Sequence, residues 1–82
     1  MPKQAVYTKQ SLRDLKSIPK QTAARIIEKI EAYADDKPAD VKRLTLHEPG
    51  WRLRVGEYRV LFDLEGSRLT IYRVKHRKQA YR

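Results

Sequence analysis

Between residues 51 and 77 the chain alternates apolar and polar positions with a period of two. Trp51, Leu53 and Val55 interleave with Arg52 and Arg54, the pattern of a strand buried on one face. Gly56-Glu57 then offers a two-residue turn with glycine at its first central position, where type II′ geometry needs φ > 0. Glu65-Gly66 offers a second turn, so three antiparallel strands are predicted. With both loops two residues long, Val55 pairs with Tyr58, Arg54 with Arg59, Leu53 with Val60, Arg52 with Leu61 and Trp51 with Phe62. Across the second loop Asp63 pairs with Arg68, Phe62 with Leu69, Leu61 with Thr70, Val60 with Ile71 and Arg59 with Tyr72. One face then carries Trp51, Leu53, Val55, Tyr58, Val60, Phe62, Leu64, Leu69 and Ile71, which form the core. The other carries Arg52, Arg54, Arg59, Tyr72 and, at the far end, His76. A one-residue change in either loop reverses part of this assignment. Arg54 opposite Arg59 is a like-charge pair that costs a few tenths to about 1 kcal/mol, a cost that an anion bound between them would offset.

The period changes upstream. Gln4 to Tyr7 reads as a short first strand. Thr8 suits a helix N-cap, and Leu12 and Leu15 share one face of a helix running to Lys16. Ser17-Ile18-Pro19 breaks it, and Pro19 opens a second helix to about Asp36. Ala23, Ile26, Ile27, Ile30, Tyr33 and Ala34 recur there at helical spacing, with Arg25, Glu28, Lys29 and Glu31 on the solvated side. So short a connection predicts an antiparallel αα-hairpin against the apolar face of the sheet. Lys37-Pro38-Ala39-Asp40 is a loop, Val41 to Leu46 a candidate strand packing through Val41 or through Leu44 and Leu46, and His47-Glu48-Pro49-Gly50 a turn. The predicted fold class is α+β: an N-terminal antiparallel αα-hairpin packed on a small antiparallel β-sheet.

Eighty-two residues allow one domain, 1–82, that buries about 60–65% of its unfolded surface. With no cysteine there is neither a disulfide nor a thiolate zinc site, and no apolar run is long enough for a membrane span. A cytoplasmic protein that meets no membrane is the simple reading. The net charge of +9 is uneven: residues 1–40 hold eight Lys/Arg against six Asp/Glu, residues 41–82 eleven against four. That excess lies with the hairpins, as expected where a surface meets a polyphosphate. The plainer alternative is a basic protein with a solvated strand face.

The order of elements resembles the RelE branch of the RelE/ParE toxin superfamily. So do Leu44, Trp51-Arg52-Leu53-Arg54-Val55-Gly56, Tyr58-Arg59-Val60 and His76-Arg77 followed by Tyr81. The resemblance spans nearly the whole chain and is sharpest over residues 51–62. It implies a RelE-like microbial ribonuclease-type fold and a toxin of a type II toxin–antitoxin system. Such a toxin is a ribosome-dependent endoribonuclease, or mRNA interferase, that enters the ribosomal A site, cuts the bound mRNA and inhibits translation. It implies silencing by a cognate antitoxin, with operator DNA met only through that antitoxin. The family's catalytic positions fall on Arg52, Arg54, Arg59, Arg77 and Tyr81, with no cofactor and no metal. Arg52 and Arg54 stand where the best-known member has lysines. Relatives of the same fold instead poison DNA gyrase, which leaves a ParE-like gyrase inhibitor open. A non-catalytic basic nucleic-acid-binding module is also open.

Metal-free RNA cleavage needs a base for the 2′-hydroxyl proton, donors around the phosphorane and an acid for the leaving 5′-oxygen. Guanidinium does not give up its proton, so Arg52, Arg54, Arg59 and Arg77 are cast as phosphate binders and charge stabilisers. His76 and Tyr81 are the candidate proton carriers. Trp51 reads as core and His47 as a solvated loop residue. Glu48 and Glu57 are weaker base candidates, since carboxylates at a basic site serve as ion-pair partners.

Overall fold

A computed structural model describes residues 2–79. Strand β1 (Gln4–Tyr7) leads into helices α1 (Lys9–Lys16) and α2 (Lys20–Ala34). Strands β2 (Val41–Arg43), β3 (Trp51–Val55), β4 (Tyr58–Glu65) and β5 (Arg68–His76) follow. They form one sheet in the order β1-β5-β4-β3-β2. The sheet is not purely antiparallel, as the sequence had indicated: β1 runs parallel to β5, with Ala5 against Leu69 and Tyr7 against Ile71. No local turn links Tyr7 to Arg68, so a strand-repeat pattern gives no sign of this pairing or its direction.

The helices begin where the capping chemistry directs. Thr8 accepts the Ser11 amide at 3.1 Å, satisfying one of the donors a helix start leaves without an intrahelical partner. Pro19 (φ −52°) stands as the N-cap of α2 rather than as its first helical residue. α1 packs mainly along β5 and touches α2 only lightly, while α2 reaches β1 and β3. The helix pair is therefore held by the sheet more than by its own seam.

Leu15, Ile18, Ile26, Ile30 and Ala34 meet Leu53, Val55, Val60, Phe62, Leu69, Ile71 and Val74 in one buried cluster, with Trp51, Tyr58 and Leu64 packed at its border. Trp51 stacks on Phe62 (centroids 6.3 Å apart, planes 18° apart), and Tyr33 meets Phe62 from the helix side at 5.7 Å. Leu46 does not pack. β2 stops at Arg43, and Leu46 lies in the following loop at φ +59°, fully exposed.

The β3–β4 register is the predicted one at all five pairs from Trp51↔Phe62 to Val55↔Tyr58. The β4–β5 register is not. Its loop is Gly66-Ser67 rather than Glu65-Gly66, so Glu65 faces Arg68 and Leu64 faces Leu69. Both hairpins thus place glycine first in the loop, at φ +58° in each. A bulge follows: Phe62 faces Ile71 but Leu61 faces Arg73, leaving Tyr72 as an extra residue. The extra residue inverts the alternation beyond it. Val74 enters the core opposite Val60, and His76 lands opposite Tyr58.

Candidate nucleic-acid interface

The bulge and the first hairpin together decide which side chains share the outer face of the sheet. Cross-strand partners point to the same side, with Cβ atoms about 4.5–5.5 Å apart. Arg54, Arg59 and Lys75 therefore form one row across β3, β4 and β5. Lys42, Arg52, Leu61 and Arg73 form the next row across β2 to β5. Leu61 is only 3% exposed in this charged setting, which requires the aliphatic stems of flanking side chains to lie over it.

Beside these rows lies an open cleft of about 550 Å³ lined by Lys42, Leu44, Thr45, His47, Arg52, Arg54 and Arg59. Arg52 is fixed by Asp40, its Nη1 donating to the carboxylate at 3.0 Å and to the backbone carbonyl at 3.1 Å. The Arg54 amide donates to the same Asp40 carbonyl at 2.9 Å, which extends the ladder past the end of β2. Arg59 Nη1 donates to the carbonyls of Gly56 and Tyr58, each at 3.1 Å. The β3–β4 turn thus orients one guanidinium through its own backbone, while Arg54 stays exposed. Such a group of planar donors suits a phosphate, which takes paired N–H bonds from a guanidinium fork.

The remaining sequence-derived candidates divide. Arg77 lies beyond the cleft lining, at the β3–β4 turn, where its amide donates to the Glu57 carbonyl and its Nε meets Glu57 Oε2, both at 2.7 Å. Glu57 is thereby an ion-pair partner. His76 is not on the arginine face, as the alternation had placed it. The Tyr72 bulge turns it to the Tyr58 side, where the two rings meet edge to face at 5.5 Å. Its Nδ1 accepts the Lys78 amide at 3.3 Å. Tyr81 lies outside the described residues.

Two residues that the sequence reading left out take part. Lys75 joins the Arg54–Arg59 row because of the bulge. Its signal was present: Leu69, Ile71 and Val74 are spaced two and then three apart, a break in period that a regular strand does not make. His47 is half-buried in the cleft wall rather than solvated in a turn, with Nδ1 3.0 Å from the Pro49 carbonyl oxygen.

The edge of the interface is held by α1. β1 covers β5 only as far as Ile71, and beyond it Asp14 takes over. Asp14 Oδ2 accepts from the Val74 amide at 2.9 Å and from Arg73 Nε at 2.8 Å. Burial pushes the Asp14 carboxyl up, yet the bonds from Arg73, Val74 and Gln10 outweigh it and hold it below its ordinary range. The same bond raises the Arg73 guanidinium further above its already high value. Among the described residues no group of three or more His, Cys, Asp or Glu could hold a metal ion, and no helix is long and apolar enough to cross a membrane.

A basic sheet face backed by two helices brings Arg52, Arg54 and Arg59 to one cleft, an arrangement whose charge suits an anionic ligand. The family model described as "ParE toxin of type II toxin-antitoxin system, parDE" matches residues 5–81. Toxin RelE3 of Methanocaldococcus jannaschii is 31% identical over 81 residues, 93% of this chain and 92% of the relative. Among solved structures, the RelB–RelE antitoxin–toxin complex from Methanococcus jannaschii contains a similar chain with TM-score 0.75 and 29% identity, covering 93% of this chain and 94% of that one. The RelBE2 toxin–antitoxin complex from Mycobacterium tuberculosis contains another, with TM-score 0.80 and 26% identity, covering 93% and 99%. The chain belongs to the RelE/ParE superfamily and is a toxin of the type II toxin–antitoxin class.

Proposed function

We propose that this toxin is a metal-independent endoribonuclease that cuts mRNA in the ribosomal A site and so stops translation. The cut is made by the 2′-hydroxyl of one nucleotide on the phosphate that follows it. The observation that carries this reading is the meeting of Arg52, Arg54 and Arg59 in one cleft. Three guanidinium groups, those of Arg52 and Arg59 held by hydrogen bonds and that of Arg54 exposed, can bind the scissile phosphate and neutralise the charge that grows on it, at a few kcal/mol per donor. Arg77, ion-paired with Glu57 at the turn, is read as a further phosphate contact that would exchange this carboxylate for the RNA, and Tyr81 as a residue that stacks on a base. His76 is given no proton-transfer role, because its ring is turned toward Tyr58. The partners in this reading are the ribosome with its bound message and a cognate antitoxin, all in the cytoplasm. The antitoxin is supported by relatives whose structures are toxin–antitoxin complexes.

A second reading has support of its own, since the matching family model is described as a ParE toxin. On that reading the chain inhibits DNA gyrase and performs no RNA chemistry. Mapping message 5′ ends after induction separates the two. Cleavage gives new ends within codons that disappear in Arg59→Ala. Broken DNA with intact messages would replace the first reading by the second.

A further inference from the structure

Lys42, Arg52, Arg54 and Arg59 line the cleft, and among the described residues no carboxylate lines it with them. Lys42 faces Arg52 across β2 and β3, and Arg54 faces Arg59 across β3 and β4, so like charges repel along both rows. Asp40, the residue before β2, ties this array down from outside. Its backbone carbonyl accepts from the Arg54 amide at 2.9 Å and from Arg52 Nη1 at 3.1 Å, and its Oδ1 accepts from the same Nη1 at 3.0 Å. Both bonds to the Arg52 side chain thus fall on one nitrogen. Among the described residues Arg52 Nε and Nη2 meet no protein acceptor. Their N–H groups form the side-on fork that a phosphate takes in paired bonds. The Arg52 side chain is mostly covered, at 15% exposure, whereas that of Asp40 is 55% exposed. A substitution at Asp40 therefore disturbs little packing while it releases the guanidinium.

We propose that Asp40 is a positioning residue: it holds Arg52 by Nη1 so that the Nε–Nη2 fork is kept for two oxygens of an RNA phosphate. The assignment rests on the endoribonuclease reading above and deepens it. Asp40 touches no reacting atom in this role and acts only through the orientation of Arg52. A carboxylate beside the cleft also weakens its pull on a polyanion, so binding and turnover respond to Asp40 in opposite directions. Removing the carboxylate leaves the cleft more positive, which favours the polyanion. It also lets the Arg52 guanidinium turn away from the geometry in which paired bonds meet the growing charge. A carboxylate that only moderated charge would slow nothing when removed. A neutral amide separates the two cases, because Asn keeps an oxygen that accepts from Nη1 but carries no charge. The Arg54 bond uses the backbone carbonyl of Asp40 and survives any change of side chain there.

The test is single-turnover cleavage on message-programmed ribosomes, alongside ribosome binding and melting temperature. It compares the wild type with Asp40→Ala, Asp40→Asn, Arg52→Ala and the double variant of Asp40→Ala with Arg52→Ala. The expected result for Asp40→Ala is a saturated rate lowered about 10- to 100-fold, with binding as tight as that of the wild type or tighter. Asp40→Asn should recover most of that loss. In the Arg52→Ala background Asp40→Ala should cost nothing further, since the two residues act as one unit. Asp40→Ser, whose hydroxyl stops short of Nη1, repeats the comparison if Asp40→Ala melts early. The assignment is overturned if Asp40→Ala cuts as fast as the wild type, or if Asp40→Asn is as slow as Asp40→Ala. A full loss added on top of Arg52→Ala overturns it too. In each of these cases cutting by the wild type still upholds the cleavage reading. A wild type that leaves the message whole ends both.

Discussion

Arg54 stands directly opposite Arg59 across the β3–β4 hairpin, like charge facing like charge on the solvent side of the sheet. The register sets the two guanidinium-bearing residues against each other with no carboxylate as cross-strand partner to either on this hairpin. The pair is therefore a place where stability and function pull in opposite directions. Arg54→Thr removes the repulsion and supplies a β-branched residue, so it should raise stability by a few tenths to about 1 kcal/mol. Denaturant unfolding measures that gain, and growth on induction measures the expected loss of toxicity. Reduced stability in this variant would show that the repulsion is already relieved within the fold.

The Arg59 guanidinium is expected to contact phosphate in bound RNA. Arg59→Ala should then lower the slope of log K against log salt by about 0.7 for single-stranded RNA. Binding measured at several salt concentrations gives the slope directly. A weaker complex with an unchanged slope would assign Arg59 to the turn, through its bonds to Gly56 and Tyr58, rather than to the ligand.

Asp14 finishes an edge that β1 leaves open, with its side chain only 11% exposed. Removing it strands the Val74 amide and the Arg73 guanidinium, so Asp14→Ala should cost about 2–3 kcal/mol. The carboxyl lies below its ordinary value of 3.8. Its contribution is thus complete above that value and is lost as pH falls through the lower, folded-state value. Asp14→Asn should flatten the acid limb of the stability curve below about pH 4, which thermal unfolding at several pH values would reveal.

Gly56 turns the first hairpin at φ +58°, and a Cβ placed there would meet nothing within 4 Å. The penalty of Gly56→Ala is therefore purely conformational, about 1–2 kcal/mol. It should appear in unfolding midpoints. Because the Gly56 carbonyl also holds Arg59, activity should fall by more than the lost stability explains.

What the sequence displayed and what it hid follow from the range of the interactions. The β3–β4 hairpin, its register and its three arginines were legible because a two-residue glycine turn sets them locally. So were the Thr8 cap and the buried stripe of Ile26 and Ile30. The parallel partner of β1 was not, since Ala5 and Leu69 meet across almost the whole chain. His76 was misplaced by one extra residue at Tyr72, because a period-two pattern carries any single bulge to every position after it. His47 was passed over because a Pro-Gly stretch marks a turn but not the wall against which that turn folds.

Among the described residues, strand β1 has β5 as its sole neighbour in the sheet, although it is the first of these strands to be made and β5 the last. A nascent polypeptide cannot seat Gln4–Tyr7 until Arg68–His76 has been synthesised and has cleared the exit tunnel. The finished sheet therefore arises only after the codons for β5 have been translated. For a protein proposed to sever messages under translating ribosomes, that order of assembly leaves the β1 edge of the fold unformed until β5 is in place.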